Sequence, residues 1–428
     1  MPPHGVKRIA RKIARLRVEG RGLPLLPRPR RGRRQSLSTH GRPVMSNRPR
    51  RVLIFIHAIS GGAGKNAVKY ANILAEGGFE VTLATGAAPQ ARQFGLDEAR
   101  VDLRVFGTRK GLAAVGPLRR EIRRQRPELC LAVDMRNLQP LRLALTGLRP
   151  RPRLILREAL YTWDRVQLRS APGRQIKRVI FAGGYRAVDR VIALTGSMAE
   201  QIEREWGVAR ARITVIPNGI ALPGDAGAAA APAVTAAETD VPTILCVARL
   251  TRQKRVNLLL RAFADVRARR PARLRLAGDG KLQPALQEQA RALGIAEDVQ
   301  FLGHVEDVGA EYRRATLTVL PSHWEGFPNV IIEALAHGVP VVATATPGAV
   351  EILDGTGCGL LAALDDPGDL ARRISEALDT RFTPAALRAR AEHFSDTRLS
   401  ERVLAVMREE AAKAHPAHGR SAPGASPA

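Results

Sequence analysis

Ser322-His-Trp-Glu-Gly-Phe-Pro-Asn-Val-Ile-Ile-Glu-Ala-Leu-Ala-His-Gly-Val-Pro-Val-Val-Ala-Thr344 decides the fold. An apolar run, Leu317–Leu320, precedes it and a second, Val339–Ala343, closes it; each has the length of a buried strand. Pro328 suits the first turn of a helix, where its missing N–H costs nothing. The helix runs through Ile331–Ala336 and stops at Gly338, with Pro340 beyond it. Strand, helix and strand in this order make a parallel crossover unit. The helix N-terminus then faces the carboxyl edge of the sheet, where its free N–H groups can meet an anion.

Working outward, the same alternation recurs. Thr243–Val247, Arg273–Ala277 and Val299–Leu302 read as strands, separated by helices over Val256–Arg269 and Leu282–Leu293. In the first half, Val52–His57 is a strand, followed by Gly61, Gly62 and Gly64, a helix over Asn66–Ala75 and a strand over Val81–Ala84. Leu129–Val133, Leu154–Leu156, Arg190–Ala193 and Ile213–Ile216 are further strands. The fold class is therefore α/β, with two doubly wound, Rossmann-like domains in tandem. The first spans 45–222 and the second 241–396, joined by an Ala-, Gly- and Pro-rich linker at 223–240. Residues 1–44 read as a disordered basic extension, 397–414 as an amphipathic helix and 415–428 as a disordered tail.

Charge is unevenly placed along the 428 residues. The net +28 divides into +12 for residues 1–44, +17 for 45–220 and −1 for 221–428. The basic half attracts anionic partners. Charge alone also fits a nucleic-acid binder, but aromatic interleaving and helix-turn-helix or RNP patterns are missing from the sequence, and no nucleic-acid partner is expected. No run of 18 apolar residues is present. Cys130, Cys246 and Cys358 lie more than 100 residues apart, without zinc spacing, which fits a reducing compartment.

Three clusters carry chemistry. Gly61-Gly-Ala-Gly64-Lys65 fails as a nucleoside-triphosphate loop, because Ile59 replaces the leading glycine and Asn66 the magnesium-binding hydroxyl. It is either a tight turn or a place where a phosphate or sugar approaches bare backbone. Arg249 and Lys254 follow a strand at the carboxyl edge, where two cations can clamp a diphosphate or merely sit solvated. Glu325 and Glu333 stand in apolar surroundings, and burial without partners is costly. Glu325 stands on the lead-in loop and Glu333 within the helix; at the helical rise, eight residues would span about 12 Å, more than the roughly 5 Å or 6.5–9.5 Å that separate the carboxyls of a glycosidase pair. Sugar and ribose hydroxyls would satisfy both instead.

These residues closely resemble retaining glycosyltransferases of family 4, which have the GT-B fold. The shared features are V-A-R-L-x-x-x-K at Val247–Lys254, L-A-G-D-G at Leu276–Gly280, F-L-G-H-V at Phe301–Val305 and the E-x7-E of Glu325 and Glu333. The first half matches more loosely, through GGAGKNAVKYANIL, LTGSMAEQI and IPNGI. The resemblance implies two domains facing a cleft, with the C-terminal helix crossing back to the first. It implies that Arg249 and Lys254 bind the donor diphosphate, Glu333 the ribose and Glu325 the transferred sugar, with Glu325, Arg249 and Lys254 carrying catalysis. Phe327, Pro328, Asn329 and Val330 would contact sugar and phosphate, Val305 the base, and Gly62 the donor phosphate from the other domain. His57, Arg157 and Glu158 are candidates for the acceptor side. Where many members have Gly-Gly-x-Glu, this chain has Gly64-Lys65, and Arg157-Glu158 stands where many have a histidine.

The resemblance further implies metal-independent transfer, without a cofactor, from a UDP- or GDP-linked sugar to a glycan or lipid-linked acceptor. Cell-envelope polysaccharide, lipopolysaccharide and glycolipid synthesis are the settings expected. A sugar-nucleotide epimerase shares the two-domain architecture and is the rival enzyme. Basic residues beside apolar ones across 119–181, including Arg165, Arg169, Arg174, Lys177 and Arg178, fit peripheral contact with an anionic membrane. The expected location is the cytoplasmic face of the plasma membrane.

Overall fold

A computed structural model describes residues 50–87, 91–108, 111–159, 171–223 and 241–414. The expectations for 1–44, for 224–240, for 415–428 and for Arg165, Arg169 and the Arg174 side chain lie outside the described residues. One compact unit comprises Arg50–Tyr161 and Phe181–Ala428. Of the other unit, which includes Thr162–Ile180, residues 171–180 are described, as the start of the helix Ala171–Ala187.

The larger unit holds two parallel sheets. The first has strands β1 (Arg51–Ile56), β2 (Glu80–Thr85), β3 (Val101–Val105), β4 (Leu129–Val133), β5 (Arg153–Arg157), β6 (Arg190–Ala193) and β7 (Ile213–Val215). The second has β8 (Thr243–Val247), β9 (Arg273–Ala277), β10 (Val299–Gly303), β11 (Leu317–Leu320), β12 (Val341–Thr344) and β13 (Gly359–Ala362). Their orders are β3-β2-β1-β4-β5-β6-β7 and β10-β9-β8-β11-β12-β13. In each sheet the chain winds outward from the centre one way, then returns and winds the other way. With right-handed crossovers, the helices before and after the reversal lie on opposite faces. The reversal falls between β1 and β4 and between β8 and β11, and these are the crevices where such sheets receive ligands.

Three local readings change. Gly61, Gly62 and Gly64 form the first turn of the helix Gly61–Glu76 instead of a loop before it. Gly64 is needed there for packing, because a Cβ would lie 2.8 Å from the Ile59 carbonyl carbon. The strand expected over Val339–Ala343 starts at Val341, since Pro340 has no N–H to give the ladder and instead accepts from Thr318 N at 3.0 Å. Pro328 is the residue before the helix Asn329–Ala336.

The C-terminal helix, Asp396–Ala414, crosses back as expected. Leu399, Val403, Val406, Met407 and Ala411 join one apolar cluster with Val52 and Ile54 of β1, Leu83 of β2 and Leu131 of β4. The chain leaves and re-enters the first lobe side by side, with Ile220 N bonded to Phe394 O and Asp396 N to Ile220 O, both at 2.9 Å. Glu410, 1% exposed, anchors the helix. It accepts from Arg153 Nε at 2.8 Å and Arg190 Nε at 3.0 Å, and from Lys413 Nζ at 3.1 Å.

Burial alone would raise the Glu410 carboxyl, but its bonds from Arg153, Arg190 and Lys413 outweigh this and hold it below the usual carboxylate range. The stability it contributes is therefore present above the unfolded carboxyl pKa of about 4.3. It is lost as pH falls through the lower folded value. Glu410→Gln is expected to lower the free energy of urea unfolding at pH 7 by about 3 kcal/mol, as for one broken partner of a buried ion pair. The deficit should shrink toward pH 3; an equal deficit at both pH values would contradict this account.

Candidate active site

The second sheet's reversal point is bridged by an ion pair. Lys254 lies seven residues beyond β8, and Glu325 five beyond β11. Their Nζ and Oε1 meet at 2.6 Å, with the side chains 15% and 10% exposed. The backbones are pinned as well. His323 N bonds to Gln253 O and Gln253 Nε2 to Trp324 O, both at 2.9 Å. Asp365, just past β13, takes His323 Nδ1 at 3.2 Å and also pairs with Arg255. Arg255 and Asp365 have φ of 50° and 60°, a costly conformation for side chains with a Cβ, and both border this loop pair.

The loops carrying the sequence motifs are laced together. Ala248 N bonds to Ala277 O at 2.9 Å, Leu250 N to Asp279 O at 2.7 Å and Gly278 N to Gly303 O at 2.7 Å. Gly278 has φ 127°, and a Cβ there would stand 2.2 Å from Ala248 O. On Gly280 it would stand 2.4 Å from Leu250 O. The two glycines thus let the β9 loop press against the β8 loop and hold Arg249 at the edge. Arg249 is exposed, and its guanidinium has no hydrogen-bond partner among the described residues. Val305 lies half-buried in the next loop.

The helix Asn329–Ala336 begins beneath the same loop. Pro328 gives it no side-chain cap and its first turn holds no acid, so its leading N–H groups are open to a ligand. Phe327 and Pro328 are buried, Asn329 and Val330 half-buried. Gly348 seats the loop, since a Cβ there would lie 2.8 Å from Gly326 O. Glu333, half-buried, accepts from the Tyr312 hydroxyl at 3.2 Å. Burial, and then the neighbouring Glu333 charge and bond, push the Tyr312 hydroxyl well above its ordinary value, so it remains a neutral donor. His337 stacks on Tyr312 with ring centroids 5.1 Å apart. Cys246, under the loop, is an inert thiol, pushed up to about 12 by burial despite nearby Lys254.

In the first lobe, His57 leaves β1 at the reversal point and its backbone N–H donates to Asn137 Oδ1 at 2.7 Å. Asn137 is held in turn by Asp134 at 2.9 Å, and Asp134 sits at φ 114° directly after β4. Gly62 is exposed, and nothing lies within 4 Å of a Cβ built on it. Glu158 is 2% exposed and accepts from the Tyr185 hydroxyl at 2.9 Å. Arg157 is 1% exposed, and its Nη2 donates to Asn218 Oδ1 at 2.5 Å. Both side chains lie in the body of the lobe. Asn218 Nδ2 then reaches Asn329 Oδ1 of the second lobe at 2.9 Å. A second tie between lobes caps the helix Gly196–Trp206, whose Gly196 N meets both Glu351 carboxylate oxygens at 3.0–3.1 Å.

The structure thus brings Lys254, Glu325, Asn329, Val330 and Glu333 to one edge. Sequence reading missed Tyr312, Asp365, Asp134, Asn137, Glu351 and the role of Asn218. Of these, only Asp134, a capping residue between an apolar run and a helix, carried a local signal.

Residues 241–380 match the family model described as "Glycosyl transferases group 1", and residues 60–222 the model "Glycosyltransferase Family 4". A D-inositol 3-phosphate glycosyltransferase of Catenulispora acidiphila is 36% identical over 45% of this chain and 48% of its own length. The chain spans about half the length of the curated relatives it matches. A lipopolysaccharide outer core galactosyltransferase, WaaB, superposes with TM-score 0.68 at 17% identity, over 84% of this chain and 99% of its own. Anabaena HepE in complex with UDP gives 0.68 at 20%, over 84% and 100%. At these identities the two structures establish the shared GT-B architecture of paired parallel-sheet domains. Both lobes match glycosyltransferase models.

Gly278→Ala is expected to destabilise the fold by at least about 1–3 kcal/mol, through strain at positive φ and collision with Ala248 O. Gly62→Ala, inside a helix with open space around it, is expected to leave stability unchanged or raise it by up to about 1 kcal/mol. Chemical unfolding of the two variants reads both values. Equal losses would show that Gly62 is held by packing.

Proposed function

We propose that this chain is a retaining, metal-independent glycosyltransferase that moves a sugar from a UDP- or GDP-linked donor to a glycan or lipid-linked acceptor. The observation that carries the reading is the Lys254–Glu325 pair spanning the β8–β11 crevice beside an uncapped helix N-terminus. A diphosphate suits the cations and the open N–H groups, and carboxylates on either side suit hydroxyls of sugar and ribose.

In this reading the bond between the sugar's anomeric carbon and the diphosphate oxygen breaks, and the acceptor hydroxyl adds to that carbon from the same face. Negative charge grows on the departing diphosphate. Arg249, Lys254 and the N–H groups of Asn329 and Val330 stabilise it there, in a site built before the reaction begins. Glu325 orients the sugar through its hydroxyls. Glu333, kept in place by Tyr312, holds the ribose, and Val305 touches the base. Gly62 admits the donor phosphate to the first lobe, so Gly62→Ala should lower activity while sparing stability.

Acceptor recognition falls to the first lobe, near His57 and the Asp134–Asn137 cap. The basic excess of residues 45–220 suits an anionic acceptor, in keeping with the inositol 3-phosphate in the name of the Catenulispora relative. The helix Ala171–Ala187 exposes Ile176, Val179 and Ile180 at 63%, 72% and 42%. Apolar residues on a basic helix suit peripheral contact with an anionic bilayer at the cytoplasmic face. Among the described residues, no helix is long and apolar enough to cross a membrane.

A thermal-shift panel with UDP, GDP and ADP and their sugars tests the donor site. One nucleotide series should stabilise the protein, and Lys254→Ala or Glu333→Ala should abolish the shift; an unchanged shift in the variants would refute the assignments. With a labelled donor, transfer to an acceptor fits this reading, whereas isomerisation of the donor would favour an epimerase. Co-sedimentation should occur with anionic vesicles and not with neutral ones; binding to both or to neither sinks the membrane contact.

A further inference from the structure

Three side chains run from the interior of the first lobe to the edge of the donor helix. Arg157 Nη2 donates to Asn218 Oδ1 at 2.5 Å, and Asn218 Nδ2 donates to Asn329 Oδ1 at 2.9 Å. The direction of this chain is forced at its inner end. Arginine has only donors and stays charged, so it can face only the oxygen of Asn218. The Asn218 amide is planar, and its NH2 must then face outward. That leaves Asn329 to offer its oxygen inward and its own NH2 to whatever lies beyond. The Asn329 Nδ2 makes no hydrogen bond among the described residues, and the residue is half-buried at the first position of the helix Asn329–Ala336.

The arrangement costs stability. Arg157 is 1% exposed and lies against the buried Tyr70, with its guanidinium carbon 5.4 Å from the ring centroid, and its Nε and Nη1 make no hydrogen bond of good geometry. A buried guanidinium so poorly bonded is unfavourable by itself. What it provides is polarity: without it, an asparagine amide can turn over and present either end.

We propose that Arg157 and Asn218 are positioning residues that fix the Asn329 amide with its NH2 outward, and that this NH2 donates to a phosphate oxygen of a nucleoside diphosphate. The proposal rests on the donor-site reading above and adds a side-chain ligand to the helix N–H groups. Because Asn218 and Asn329 belong to different lobes, the full set of donors exists only while the lobes are held as seen here. Arg157 thereby acts through the donor site, although its position in the sequence pointed to the acceptor.

The test is a double-mutant cycle read by calorimetric titration of the intact protein with UDP and GDP. Asn218→Asp is close to isosteric and keeps an acceptor for Arg157, but it cannot donate to Asn329. It should weaken diphosphate binding by about tenfold, the scale of one hydrogen bond to a charged oxygen. In an Asn329→Ala background the same change should cost markedly less; the cycle removes the direct effect of the added charge. Arg157→Met should reproduce the loss, Arg157→Lys, still donor-only, should recover it, and binding of the bare nucleoside should not change. If Asn218→Asp costs the same with and without Asn329, or costs nothing, the polarity relay is wrong while the donor site stands. If the wild-type protein binds no nucleoside diphosphate, the donor site falls and the relay with it.

Discussion

Where a parallel sheet reverses its winding, two adjacent strands send their chains to opposite faces, and no crossover can close the space above their carboxyl ends. Much of this molecule is arranged around that constraint. Between β8 and β11 the space is spanned by Lys254 and Glu325 at 2.6 Å, each mostly shielded from water. A partly buried ion pair is a poor source of stability, since desolvation offsets most of the attraction. Its value is as a prepared pair of charges. A ligand bringing a diphosphate to Lys254 and hydroxyls to Glu325 meets groups that are already oriented and partly desolvated.

The surrounding loops make that preparation rigid. The β8, β9 and β10 loops are tied by backbone hydrogen bonds, and the glycines of Leu276–Gly280 are required by carbonyls of the β8 loop. Motifs far apart in the chain therefore occur together because they form one surface. The lobes are joined near the same surface. Asn218 reaches Asn329, Glu351 caps the Gly196 helix, and Asp396 pairs with Lys69 at 2.6 Å where the C-terminal helix crosses back. One of the residues that hold the two lobes together, Asn218, thus touches the helix that would receive the donor.

Much of this was legible in the sequence, for physical reasons that also mark where reading stopped. Leu129–Val133, Arg190–Ala193, Thr243–Val247, Arg273–Ala277 and Leu317–Leu320 form strands at the residues their apolar runs predict. Inner strands covered on both faces read as largely apolar runs, and Arg190 in β6 and Arg275 in β9 find carboxylate partners, Glu410 and Glu311. β3 went unread because it is an edge strand, with Asp102 and Arg104 between its apolar residues, and β13, also at an edge, is only half covered. Glu325 and Glu333 were visible as carboxylates in apolar company. Their partners were not. Lys254 is 71 residues from Glu325, Tyr312 is 21 from Glu333 and Asn218 is 111 from Asn329, and no periodicity connects such positions. Arg157 shows the limit most plainly: its place at the end of β5 pointed to the acceptor, whereas in the fold its side chain turns toward Asn218.

The central claim is that the donor diphosphate lies over the β8–β11 crevice. Amide hydrogen exchange, with and without the nucleoside diphosphate that binds, locates the ligand most directly. Slowed exchange should appear at residues 249–254 and 326–332 and around Val305 and Gly62, with the starts of β8, β9 and β10 unchanged. Protection at the opposite edge of the sheet, or none at 326–332 under saturating nucleotide, would contradict the account.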